Sequence, residues 1–162
     1  MNRLYFLGYL LVGLVMSLAL MLPAQAGQKS ESKVNASATA TKAGDDGKQT
    51  VTITLEIAKG WHIYANPVGT EDLEGNKTVV TIGAKEKVVV SVKYPEGKVK
   101  LEKLGKEEVK LRIYEDKVTI QAAVTRTMGD SSPLQISIAV NACDKNNCLP
   151  MGVVKLTVPS TK

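Results

Sequence analysis

Leu134-Gln135-Ile136-Ser137-Ile138-Ala139-Val140 sets a large apolar side chain at every even position and small or polar ones between them. A strand points successive side chains to opposite faces. This period of two therefore describes a strand with one face on a core and one toward water. The same alternation recurs outward along the chain. Val51, Ile53, Leu55 and Ile57 alternate with Thr50, Thr52, Thr54 and Glu56. Val88, Val90 and Val92 repeat it, as do Val109, Leu111 and Ile113, then Val118, Ile120, Ala122 and Val124, and last Val154, Leu156 and Val158. Turn-forming residues punctuate the runs: Pro95-Glu96-Gly97, Glu115-Asp116 and Gly129-Asp130-Ser131-Ser132-Pro133. No helical period follows the N-terminal apolar stretch. About seven or eight short strands with regular turns predict an all-β, antiparallel β-sandwich, with a small barrel as the alternative.

This domain is expected over residues 48–162, on the order of a hundred residues of folded chain and enough for one core. Residues 27–47 are mostly Ser, Ala, Thr, Lys and Gly, with the single valine Val34. So little apolar area predicts a flexible linker. Residues 1–26 read as a signal peptide. Arg3 is followed by the apolar run Leu4 to Leu22, the breaker Pro23 and the small-x-small pattern Ala24-Gln25-Ala26. An uncleaved membrane anchor is the alternative, because the run is nearly long enough to span a bilayer. No cysteine follows the run, which argues against a lipid anchor. The expected location is periplasmic or secreted, where paired thiols form and keep a disulfide. The chain has two cysteines, Cys143 and Cys148.

The net charge of +5 comes mostly from lysines mixed with acids, as in Lys85-Glu86-Lys87 and Lys106-Glu107-Glu108. A nucleic-acid surface would cluster arginine with aromatic residues. Solvated faces and protected sheet edges explain this pattern better. With His62 as the single histidine, no Ser-His-Asp arrangement is supported. No phosphate-binding glycine loop is present, so hydrolase and nucleotide readings are poor.

Three readings compete for Cys143-Asp144-Lys145-Asn146-Asn147-Cys148. As a structural staple, so short a loop restricts the unfolded chain by only about 2 kcal/mol. As a metal site, the pair has only His62, Met128 and Met151 to complete a ligand set. As an exchangeable dithiol, it needs a sulfur that a partner thiol can reach. Alternation puts the even positions from Leu134 to Val140 on the core. Continued, it places Cys143 on the opposite face with Gln135, Ser137 and Asn141, off the core and near the surface, unless a bulge near Ala142 intervenes. Cys148 follows a polar turn and precedes Leu149-Pro150, which suggests a hairpin-like bend. The second and third functional classes to weigh are thus a non-catalytic secreted binding module with a structural disulfide, and metal capture.

Val140-Asn141-Ala142-Cys143 … Cys148-Leu149-Pro150 resembles the redox segment of the N-terminal periplasmic domain of the thiol:disulfide interchange protein DsbD family. Gly60-Trp61-His62-Ile63-Tyr64-Ala65-Asn66-Pro67 resembles that family's early Gly-aromatic-x-hydrophobic-Tyr strand. Ile113-Tyr114-Glu115-Asp116-Lys117-Val118-Thr119-Ile120 resembles its central Tyr-x-x-x-Val/Leu-Thr hairpin, and the three occur in the family's order. The resemblance implies an immunoglobulin-like sandwich and a redox-active disulfide, Cys143 and Cys148, with no other cofactor. It implies thiol:disulfide interchange with thioredoxin-like oxidoreductases, among them disulfide isomerases and cytochrome c maturation factors.

Two departures stand out. The 162 residues include no counterpart of the family's membrane and thioredoxin-like parts, so a relay is expected to use a separate membrane electron donor. The family shields its disulfide with an aromatic cap loop, whereas Leu104 to Val109 has no aromatic residue. Shielding then falls to Trp61 or Tyr114. Alternation alone would bury Trp61 and Ile63 and turn His62 and Tyr64 outward. The functional alternative sets Tyr64, and with it His62, beside the cysteines. A cation there would favour a thiolate; Lys145 would act in the same sense and Asp144 against it.

Overall fold

The computed structural model describes residues 27–159. The expected signal peptide lies outside them. Among the described residues the strands are β1 (Val34–Ala40), β2 (Lys48–Ile57), β3 (His62–Tyr64), β4 (Val79–Gly83), β5 (Val88–Lys93), β6 (Lys98–Leu104), β7 (Glu107–Glu115), β8 (Lys117–Arg126), β9 (Leu134–Val140), β10 (Ala142–Cys143) and β11 (Gly152–Val158). Two short 3₁₀ turns occupy Ser30–Lys33 and Glu71–Asn76. Three antiparallel sheets result: β1-β2-β8-β5, β10-β3-β7-β6 and β11-β9-β4.

The first sheet is one layer of an immunoglobulin-like sandwich. Its inward side chains include Val51, Ile53, Leu55, Ile120 and Val124. They meet Ile136, Ile138 and Val140 of β9 and Ile63, Tyr114 and Ala142 of the β10-β3-β7-β6 sheet, all buried in one core. Burial of this apolar surface is the main favourable contribution to folding. The strands expected from alternation are present, and β1, β4, β6 and β10 add to them.

The flexible linker expected at residues 27–47 is corrected by β1, which pairs over its full length with β2 from Val34↔Ile57 to Ala40↔Val51. Its inward positions are Val34, Ala36, Ala38 and Ala40, and the alanines pack partly buried against the core. The alternation is there, but alanine carries so little apolar area that composition hid it. β1 adds hydrogen bonds at a sheet edge rather than a large hydrophobic face. The ordered sandwich therefore starts well before Lys48.

Candidate thiol–disulfide site

β9 ends at Val140, and the chain crosses at Asn141 from one sheet to another. There β10 pairs with β3, with Ala142 opposite Ile63 and Cys143 opposite His62. Directly opposed residues on antiparallel strands share a face. Ala142 and Ile63 therefore face the main core, while Cys143, His62 and Tyr64 share the other side of the sheet. Alternation survives the crossing: Cys143 does lie off the main core. The expectation that it is near the surface is corrected. Cys143 is 2% exposed, in a second cluster with Tyr64, Val68, Leu111 and Ile113, against which Leu73 and Val109 pack. Cys148 is exposed.

The two sulfurs form a disulfide, and the cysteines face each other as an antiparallel bridge. The turn between them is internally tied. Asp144 Oδ1 accepts from the amides of Asn146 and Asn147, each at 2.7 Å, and Asp144 N donates to Asn147 O at 2.9 Å. Those two amides hold the Asp144 carboxyl below the ordinary carboxylate range, with weaker help from Lys145. Leu149 N donates to Ala142 O at 2.9 Å, and Asn141 Nδ2 to Leu149 O at 2.7 Å. The hairpin expected here is thus present.

Tyr64 supplies the aromatic cover. Its hydroxyl lies 3.9 Å from Cys148 Sγ; a disulfide sulfur has no proton, so the hydroxyl donates. Burial raises the Tyr64 pKa, and Glu102 adds to this. Buried Thr78 fixes the Tyr64 backbone, with Thr78 Oγ1 donating to Tyr64 O at 2.6 Å. Trp61 and Tyr114, considered as shields from sequence, do not serve. Trp61 packs against the main core with the Lys33 ammonium 4.8 Å from its ring centre. Tyr114 is buried in that core, opposite Ile63, and its hydroxyl donates to Pro95 O at 2.8 Å. In place of an aromatic, Leu104 to Val109 contributes Val109 to the wall around Cys143.

Alternation correctly turns His62 away from the main core, but this face is covered too, and His62 is 4% exposed. The Lys100 ammonium lies 3.4 Å from His62 Nε2 and 3.3 Å from Glu102 Oε2. An ammonium has only protons to give, so Nε2 accepts and the ring is neutral. Burial first, then Lys100, lowers the His62 pKa from 6.5, while Glu102, Glu115 and Asp144 pull it upward. The unfolded chain therefore takes up this proton more readily than the folded one. Stability linked to His62 is full above about 6.5 and is lost as pH falls from there through the lower folded value. The urea midpoint should fall between about pH 7.5 and 5, and His62→Gln should flatten that fall. An unchanged slope in the variant would assign it elsewhere.

Lys100 and Glu102 were missed from sequence, because nothing in a Lys/Glu-rich strand marks which charges turn toward a cysteine. Among the described residues no three His, Cys, Asp or Glu side chains gather as a metal site. Met128, weighed as a soft ligand, stands exposed between β8 and β9.

An immunoglobulin-like sandwich with a disulfide hairpin at one sheet edge, one cysteine buried and the other exposed, defines the class of this protein. A family model for the N-terminal region of thiol:disulfide interchange protein DsbD matches residues 30–158. The chain belongs to that family. The start of the match at residue 30 agrees with the early onset of ordered structure.

Among solved structures it is similar to the DsbD N-terminal domain of Neisseria meningitidis in a complex with the PilB N-terminal domain. The identity is 14%, over 83% of this chain and 88% of that one, with a TM-score of 0.52. It is also similar to the N-terminal periplasmic domain of ScsB from Proteus mirabilis, at 14% identity and a TM-score of 0.52. That match covers 78% of this chain but only 45% of the other. These likenesses show the fold. No curated protein matches the sequence.

Proposed function

We propose that this chain is an exported thiol–disulfide exchange module that passes electrons through Cys143 and Cys148 to or from thioredoxin-like periplasmic partners. The observation that carries the reading is the unequal exposure of the two disulfide-bonded residues, Cys143 buried and Cys148 exposed. In the reducing direction toward the module, a partner thiolate attacks Cys148 Sγ. The disulfide breaks, Cys143 leaves as a thiolate and takes a proton, and a mixed disulfide joins the partner to Cys148. The partner's second thiolate attacks its own bonded sulfur and releases Cys148. The module ends as a dithiol and the partner as a disulfide, two electrons having moved.

In the other direction the Cys148 thiolate attacks a partner disulfide, and Cys143 resolves the product. The Lys100 ammonium sits against neutral His62, which pairs with Cys143, and a cation on that face stabilises a Cys143 thiolate. Tyr64 covers the oxidised pair. Family membership supports thioredoxin-like partners, including cytochrome c maturation factors, with a membrane electron carrier supplying the electrons.

A reduced thioredoxin-like protein should open the Cys143–Cys148 disulfide at neutral pH while the β-sheet circular dichroism stays intact. If opening occurs only under denaturing conditions, the pair is a fixed clasp in a binding module and the reading fails.

A further inference from the structure

One buried side chain from outside the cysteine hairpin bonds to both of its arms. Ser30 is 0% exposed. Its hydroxyl accepts from Ala142 N at 2.8 Å and donates to Pro150 O at 2.8 Å, with Leu149 O farther away at 3.3 Å. Its backbone amide also donates to Pro150 O, at 3.0 Å. Ala142 immediately precedes Cys143, and Pro150 follows Cys148 by two residues. Ser30 therefore bridges the two arms of the cysteine hairpin.

A second feature admits the same turn. A side chain at Gly152 would meet Glu31, whose backbone nitrogen lies 2.5 Å from the position a Cβ would take. Glycine there leaves room for the Ser30–Lys33 turn to lie against the start of β11.

We infer that Ser30–Lys33 is a latch, with Ser30 as a positioning residue, that keeps the two thiols in register when the disulfide is open. The inference rests on the proposed exchange function but is tested without a protein partner. While the disulfide is closed, the covalent bond already holds the hairpin arms together, so losing the latch frees little. In the dithiol form the outside bridge is lost with the hydroxyl. The arms then gain freedom, and that gain favours the reduced state.

The test uses the full chain equilibrated with glutathione redox buffers, with amide hydrogen exchange measured in both redox states. Ser30→Ala should move the equilibrium toward the dithiol by about tenfold, an order-of-magnitude expectation for losing a buried bridging hydroxyl. Exchange at Ala142 and Leu149 should speed up more in the reduced than in the oxidised protein. Ser30→Thr, which keeps a hydroxyl, should restore much of both. Gly152→Ala displaces the turn by another route and should shift the equilibrium in the same direction, which keeps the test alive if Ser30→Ala does not fold.

An equilibrium unchanged within about twofold, or equal loosening in both redox states, would show Ser30 to be only a structural hydrogen bond. Failure of the wild-type disulfide to react with any thioredoxin-like protein would instead remove the exchange function and leave these measurements standing.

Discussion

Cys143→Ser should turn the protein into a trap that accumulates a mixed disulfide with a thioredoxin-like partner, whereas Cys148→Ser should accumulate almost none. Both variants should lose exchange by about a thousandfold or more, since no other group on the chain can replace a sulfur nucleophile. The contrast between them comes from burial. In Cys143→Ser the remaining thiol is on the exposed residue. It can meet a partner's disulfide, and the resolving sulfur that would normally release the adduct is gone. In Cys148→Ser the remaining thiol is enclosed by Tyr64, Val68, Leu111 and Ile113. That enclosure denies a partner disulfide access to the sulfur. Non-reducing gels and mass spectrometry after mixing with an oxidised partner separate the two. Equal trapping by both variants would show that the hairpin opens before reaction and that the asymmetry has no kinetic meaning.

Leu111→Ala should produce the largest loss of stability near the site. Leu111 is fully buried in the cluster that contains Cys143, on β7 between β3 and β6. Leucine-to-alanine changes in such places cost about 2–5 kcal/mol, the spread reflecting how far the cavity collapses. For a domain of this size that corresponds to a fall in melting temperature of about 10 °C or more. Because the cavity opens in the wall around Cys143, the variant should also make that thiol react faster with a small alkylating reagent in the reduced protein. Calorimetry and thiol labelling of the same sample test both parts. A large stability loss with unchanged labelling would mean that Tyr64, Val68 and Ile113 enclose the sulfur without Leu111.

Much of this fold was legible because its long strands bury large β-branched and leucine side chains at every second position. β2, β8 and β9 have that pattern and form the body of the sandwich. β1 resembles a linker in sequence because its inward residues after Val34 are alanines, which satisfy the period with little hydrophobic weight. At the site, strand parity put Cys143 on the correct side of the sheet. It did not show that this side has its own cover, because Val68, Leu73 and Leu111 come from distant parts of the chain and only tertiary packing collects them. Family motifs led to Tyr64 and His62. Ser30 had no signal of any kind: a serine in a Ser/Ala/Thr-rich stretch becomes notable only once Ala142 and Pro150 are seen on either side of its hydroxyl.

The alanine-faced edge strand has an effect beyond its own pairing. Stability is uneven within a fold, and segments with few apolar contacts open first. β1 sits at a sheet margin with one large inward side chain, and it continues directly from the turn that holds Ser30. Fraying of that margin on warming would unseat Ser30 while β2, β8 and β9 remain packed. The protein should then lose control over its thiol pair through a sub-global opening, at temperatures below the one that melts the sandwich. The proposed thiol–disulfide exchange and this edge of the fold would then share a single thermal threshold.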